Sequence, residues 1–129
     1  MNLKAKILIV EDDMPVAMMI AHLLTRAKCE VVVASTAKKG MQLAENGNFS
    51  LVTLDIHLPD SNGFEVCSRL KKNPRLRETP IVFVSGPCGQ DLQRSIDAGA
   101  ADYIAKPFET LEFASRILAH LNLAQNQSA

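Results

Sequence analysis

The sequence predicts an α/β domain in which helices cover both faces of a parallel sheet, and three observations carry that expectation. Short β-branched runs alternate with longer segments of helical period, the alternation completes five rounds, and the runs are mostly continuously apolar, as strands buried on both faces must be. A chain of 129 residues with 47% hydrophobic content matches one domain and carries enough apolar surface for a core without staples.

Lys6 to Val10 reads as the first strand, and Asp13 can cap a first helix marked by Val16, Ile20, Leu23, Leu24 and Ala27. Glu30 to Ala34 is the second strand. Ala37, Met41 and Ala44 mark a second helix that stops near Gly47. Leu51 to Leu54 follows as the third strand, and a helix carrying Phe64, Cys67 and Leu70 ends before Pro74. Ile81 to Val84 is the fourth strand, with a helix through Leu92 and Ile96 that ends at Gly99. Tyr103 to Ala105 is the fifth. In the last helix Phe113, Ile117 and Leu121 lie beside Ala114 and Leu118, the broad apolar stripe of a helix docked on a sheet. Residues 1–123 are expected to form the domain, and 124–129 a flexible tail or the start of a linker.

Fourteen basic and fourteen acidic side chains cancel, so no global field draws this surface onto nucleic acid or an anionic membrane. The cluster Lys71, Lys72, Arg75 and Arg77 around Pro74 reads as a solvated helix end, where cations suit the helix C-terminus. No apolar run approaches the roughly 20 residues needed to span a bilayer, and a cytoplasmic location is expected. Cys29, Cys67 and Cys88 are odd in number and lack CxxC spacing, which argues for reduced thiols over disulfides or structural zinc.

Ligands of an open parallel sheet bind beyond the carboxyl ends of its strands. Here those ends run into Glu11-Asp12-Asp13, Asp55, Ser85 and Lys106-Pro107. Singly each has a plain explanation as cap, turn residue, strand-end hydroxyl or surface cation. Together they do not, because two unit charges about 4 Å apart interact by roughly 4 kcal/mol at an effective dielectric near 20. Clustered carboxylates need a compensating cation. Mg²⁺, with Mn²⁺ as the alternative, prefers a few carboxylate oxygens, retained waters and phosphate oxygens, and Glu11, Asp12 and Asp55 can supply the carboxylates. Lys106 then offers a second cation to a phosphate oxygen and Ser85 a neutral donor. Asp55 is the natural nucleophile, since a carboxylate forms an acyl phosphate and phosphoryl transfer demands mainly positioning and charge neutralisation. Neither GxxxxGK[ST] nor GxGxxG is present, so the phosphoryl group must arrive on a donor.

The segments Ile7 to Asp13, Asp55 to Gly63, Val84 to Gly86 and Ala98 to Phe108 resemble, in order and spacing, the motifs of response-regulator receiver domains. The resemblance covers nearly the whole chain. It implies a flavodoxin-like, doubly wound (βα)5 fold with strand order 2-1-3-4-5, and phosphorylation of Asp55 by a sensor histidine kinase or a histidine phosphotransfer protein. It also implies Mg²⁺ held by Glu11, Asp12, Asp55 and the His57 carbonyl, and a cis peptide between Lys106 and Pro107. Ser85 and Tyr103 would act as switch residues that change the face formed by the fourth helix, fifth strand and fifth helix toward an unidentified downstream effector. Such a domain catalyses only its own phosphorylation and dephosphorylation, and exists as a monomer or a phosphorylation-dependent dimer.

Other residues admit plainer readings. His57, two positions past the acceptor, reads as a loop residue at the pocket rim rather than a metal ligand with Cys88. His22 and His120 read as helical residues without partners, and Pro87 as a restraint on the loop after Ser85. Met14 and Met18 on the first helix are candidate contacts for a phosphodonor, with ordinary packing an equal alternative. An aspartyl-phosphate phosphatase or phosphotransferase normally carries a second Asp where His57 stands. A phosphate-blind interaction module would not need Glu11, Asp12, Asp55, Ser85 and Lys106 together.

Overall fold

The computed structural model describes residues 4–86 and 91–127, with side chains through residue 122. Among these residues β1 (Lys6–Val10), β2 (Glu30–Ala34), β3 (Leu51–Leu54), β4 (Ile81–Ser85) and β5 (Asp102–Ala105) form one sheet in the order β2-β1-β3-β4-β5, every pair parallel. They alternate with α1 (Met14–Arg26), α2 (Ala37–Asn46), α3 (Gly63–Lys72), α4 (Asp91–Asp97) and α5 (Thr110–Gln127). A single 3₁₀ turn at Pro74–Leu76 follows α3. This is the flavodoxin-like arrangement that the resemblance implies.

The strands sort their side chains by the period of two. Ile7 and Ile9, with Leu51, Val82, Val84 and Ile104, face α1 and α5, where Ala17, Ile20, Leu24, Phe113, Ile117 and Leu121 complete one buried cluster. Leu8, Val10, Val52, Leu54 and Phe83 face the other side, packing on Ala37 and Ala44 of α2 and Phe64, Cys67 and Leu70 of α3. Both faces of β1, β3 and β4 are buried, which is why these strands are apolar without alternation.

Helix starts agree with their sequence signals. Asp13 caps α1, accepting from Val16 N–H at 3.4 Å, Pro15 sits within its first turn, and Asn62 caps α3, accepting from Glu65 N–H at 2.9 Å. The fourth helix differs from expectation. Leu92 and Ile96 are 56% and 57% exposed, and the buried face of α4 is instead Asp91 and Ser95, whose hydroxyl donates to the Asp91 carbonyl at 2.6 Å. In so short a helix, two apolar residues four apart mark a face without deciding which way it turns. The fifth helix extends to Gln127, so residues 124–127 continue it.

Beneath β5, the Asp102 carboxylate pairs with Arg116 through Nε (3.1 Å) and Nη2 (2.5 Å) and with His120 Nε2 at 2.9 Å. His120 therefore has a partner, contrary to its reading from sequence. Burial raises the Asp102 pKa, but the hydrogen bonds from Arg116, His120 and the Tyr103 N–H outweigh it and hold the carboxyl below its ordinary 3.8. A depressed carboxylate stabilises the fold above its unfolded pKa, and that contribution fades as pH falls through the lowered folded value. Asp102→Asn is expected to cost about 1 kcal/mol at neutral pH, discounted for the partly exposed guanidinium, and to flatten the acid limb of stability below about pH 4. Urea midpoints across that range check this. Parallel acid limbs in wild type and variant would contradict it.

Candidate functional site

The carboxyl ends of β1, β3, β4 and β5 bring Glu11, Asp55, Ser85 and Lys106 together. Parallel register places those ends on one edge of the sheet, so residues 95 positions apart in sequence meet. Lys106 Nζ lies 2.6 Å from Glu11 Oε1 and 3.2 Å from Asp55 Oδ2, bridging the two carboxylates. Ser85 Oγ donates to Asp55 Oδ1 at 2.7 Å, and the His57 N–H reaches the same oxygen at 3.2 Å. The Lys106–Pro107 peptide is cis.

Glu11, Asp55 and Ser85 are buried, while Asp12 is exposed at the rim. Burial, then the neighbouring Asp55, push the Glu11 carboxyl up to about 7 against the pull of Lys106. Burial acts on Asp55 in the same sense, but there the hydrogen bonds from Glu11, Ser85 and Lys106 outweigh it and lower its pKa. The pair thus relieves its repulsion at Glu11, and Asp55 stays ionised.

Carboxylate oxygens of Glu11, Asp12 and Asp55 lie within 4.8 Å of one another. Three hard oxygen donors, two buried and one open to water, suit a small divalent cation that keeps part of its hydration shell. The donor set fits Mg²⁺, and offers neither the thiolate nor the imidazole that zinc favours.

The glycine that ends the loop after Asp55 is a packing requirement. A Cβ at Gly63 would lie 2.9 Å from Ile56 Cα and 2.9 Å from Phe83 Cε1, and nearer still to the Asp55 carbonyl oxygen. Helix α3 can therefore start against the end of β3 only without a side chain at that position.

Tyr103 stands on β5 near this site. Its hydroxyl donates to the Gly86 carbonyl, one residue past Ser85, and its ring lies 6.5 Å from that of Phe83, which in turn meets Phe64 at 5.3 Å. His57 is exposed at the rim, and His22 is exposed on α1. Pro87 and Cys88, read from sequence as a loop restraint and a conceivable ligand, lie outside the described residues. Met14 and Met18 are 43% and 62% exposed beside the acidic end of β1.

Two contacts near the site were not read from sequence. Asp60 reaches the start of α2, and Arg94 stacks over the Phe64 ring at 4.3 Å. Asp60 lies inside a recognisable motif, yet its partners are more than 20 positions away, so spacing carries no signal of them.

The family described as response regulator receiver domain matches residues 7–118. Response regulator ArlR of Staphylococcus saprophyticus is 36% identical over 117 residues, which cover 90% of this chain and 52% of that protein. The DNA-binding dual master transcriptional regulator RpaA of Synechocystis sp. is 35% identical over 118 residues, covering 90% and 48%. The chain spans about half the length of the curated relatives it matches. A CheY-like response regulator receiver domain protein from Methanospirillum hungatei superposes with a TM-score of 0.91 at 29% identity, covering 97% of this chain and 99% of that one.

Proposed function

The chain belongs to the response regulator receiver domain family, and from that premise we propose that it accepts a phosphoryl group on Asp55 from a phosphohistidine donor and reports the added charge to a partner. One observation carries the reading. An ionised, buried carboxylate sits within hydrogen-bond reach of a hydroxyl and an ammonium group, beside two further carboxylates able to hold a cation.

In the reaction an Asp55 oxygen bonds to phosphorus as the phosphorus–nitrogen bond of the donor breaks, and the electron pair leaves with the donor imidazole. Glu11, Asp12 and Asp55, with the His57 carbonyl, would hold Mg²⁺. The chemistry a bound Mg²⁺ supplies is neutralisation of the acidic cluster and of the phosphoryl oxygens. Lys106 Nζ, already against Asp55 Oδ2, stands ready to pair with a phosphoryl oxygen in place of a carboxylate. Ser85 is placed to shift its hydroxyl from Asp55 Oδ1 to another. The turnover is confined to the chain's own acyl phosphate.

Readout would run through Gly86 and Tyr103, because a shift of Ser85 moves the carbonyl to which the Tyr103 hydroxyl donates. The face beyond carries Leu92 and Ile96 on α4 and Leu111, 77% exposed, on α5. Exposed apolar side chains on both helices suit a partner surface, which supports α4, β5 and α5 as the output face.

Incubation with a small phosphodonor and Mg²⁺ is expected to add the mass of one phosphoryl group, labile to base and absent when a chelator removes the metal. Unchanged mass with Mg²⁺ present would overturn the proposal.

A further inference from the structure

We propose that Asp60 is a positioning residue for the phosphoacceptor loop, clamping the main chain between Asp55 and Gly63 to the start of α2. Its Oδ1 accepts from the Ala37 N–H at 2.8 Å and its Oδ2 from the Lys38 N–H at 3.0 Å. The inference rests on the phosphoacceptor reading of Asp55.

Helix α2 already has its own cap, since Thr36 Oγ1 accepts from the Lys39 N–H at 3.1 Å. No acidic residue stands in its first turn, so Asp60 brings from a distant loop the negative charge that a helix start favours. The two backbone donors also hold the Asp60 carboxyl below its ordinary range. The inner part of the loop is fixed separately. His57 N–H donates to Asp55 Oδ1, Gly63 N–H to the Ile56 carbonyl at 2.7 Å, Leu58 N–H to the Ser61 carbonyl at 3.3 Å, and His57 bridges Asn62. None of these bonds holds the loop tip to a neighbouring strand-end loop. Asp60 does, and the segment it grips follows Ala34, whose carbonyl accepts from the Glu11 N–H at 2.9 Å. One carboxylate therefore couples the loop bearing Asp55 and the His57 carbonyl to the segment that anchors Glu11.

Thr36→Ala supplies the control, because it weakens the same helix start without freeing the loop. Titration calorimetry with Mg²⁺ and backbone amide exchange would be measured on wild type, Asp60→Ala, Asp60→Asn and Thr36→Ala. Asp60→Ala and Thr36→Ala are both expected to lower the melting temperature by a few degrees. Only Asp60→Ala is expected to weaken Mg²⁺ binding, by about tenfold, the low end for groups that orient metal ligands, and to speed exchange of the His57 and Leu58 amides. Asp60→Asn, which keeps one acceptor, should recover part of both. Equal Mg²⁺ affinity and equal exchange in Asp60→Ala and Thr36→Ala would overturn the clamp. If wild type takes up no Mg²⁺, the phosphoacceptor reading falls, and the exchange comparison still decides the clamp.

Discussion

Asp55→Asn is expected to leave the protein folded and to abolish phosphoryl uptake. The amide has the shape of the carboxylate, and its oxygen can still accept from Ser85 Oγ and the His57 N–H, now at 2.7 and 3.2 Å. The amide NH₂ cannot accept from Lys106, so that contact is lost. Against this, Glu11 no longer faces a second buried carboxylate and can ionise fully toward Lys106, 2.6 Å away. The two effects oppose each other, and stability should stay within about 1 kcal/mol of wild type. Chemistry has no such compensation, because an amide oxygen is too weak a nucleophile to form the acyl phosphate. Mass measurement after exposure to a small phosphodonor and Mg²⁺, beside a denaturation curve, checks both halves. A variant that gains the same mass as wild type would remove Asp55 from the acceptor role.

Gly63→Ala carries the largest expected loss of stability. Two of the three atoms its methyl would meet are backbone, the Asp55 carbonyl oxygen and Ile56 Cα, and the third is the buried Phe83 ring. A flexible side chain could swing aside, but this backbone cannot, tied as it is by the Asp55 N–H to the Val10 carbonyl and by the Ile56 carbonyl to the Gly63 N–H. The cost is expected to reach about 3 kcal/mol or more, at or beyond the upper end of ordinary overpacking. That is a large share of the roughly 5–15 kcal/mol that holds a domain folded. Because relief would displace Asp55 and Ile56, phosphoryl uptake by the surviving folded fraction should fall as well. Gly86→Ala is the matched control, since a Cβ there meets nothing within 4 Å. Similar denaturation midpoints for the two variants would show that the close approach at Gly63 is tolerated.

These expectations draw unequally on sequence and structure. All five strands were legible, to within a residue at β4 and β5, because burial on both faces leaves a run of apolar residues that needs no partner to be recognised. Strand ends then located Glu11, Asp55, Ser85 and Lys106 without knowledge of any distance, since a parallel sheet gathers those ends on one edge. The short helix α4 shows the limit. Its apolar pair Leu92 and Ile96 was legible as a helical face, but whether that face turned inward depended on the packing of Asp91 and Ser95.

The sequence by itself determined the fold class and the membership of the acidic site, because both follow from local periodicity and from what must come next after a buried strand. Only the tertiary structure decided how that site is balanced. It shows Lys106 bridging two carboxylates, with burial raising the Glu11 pKa while hydrogen bonds from Glu11, Ser85 and Lys106 lower that of Asp55. It also shows Asp60 gripping α2 and Asp102 gathering Arg116 and His120. The reason is one of range. Periodicity is a property of neighbours along the chain, whereas desolvation, charge pairing and close backbone approach depend on distances between residues tens of positions apart, and these exist only once the sheet has closed.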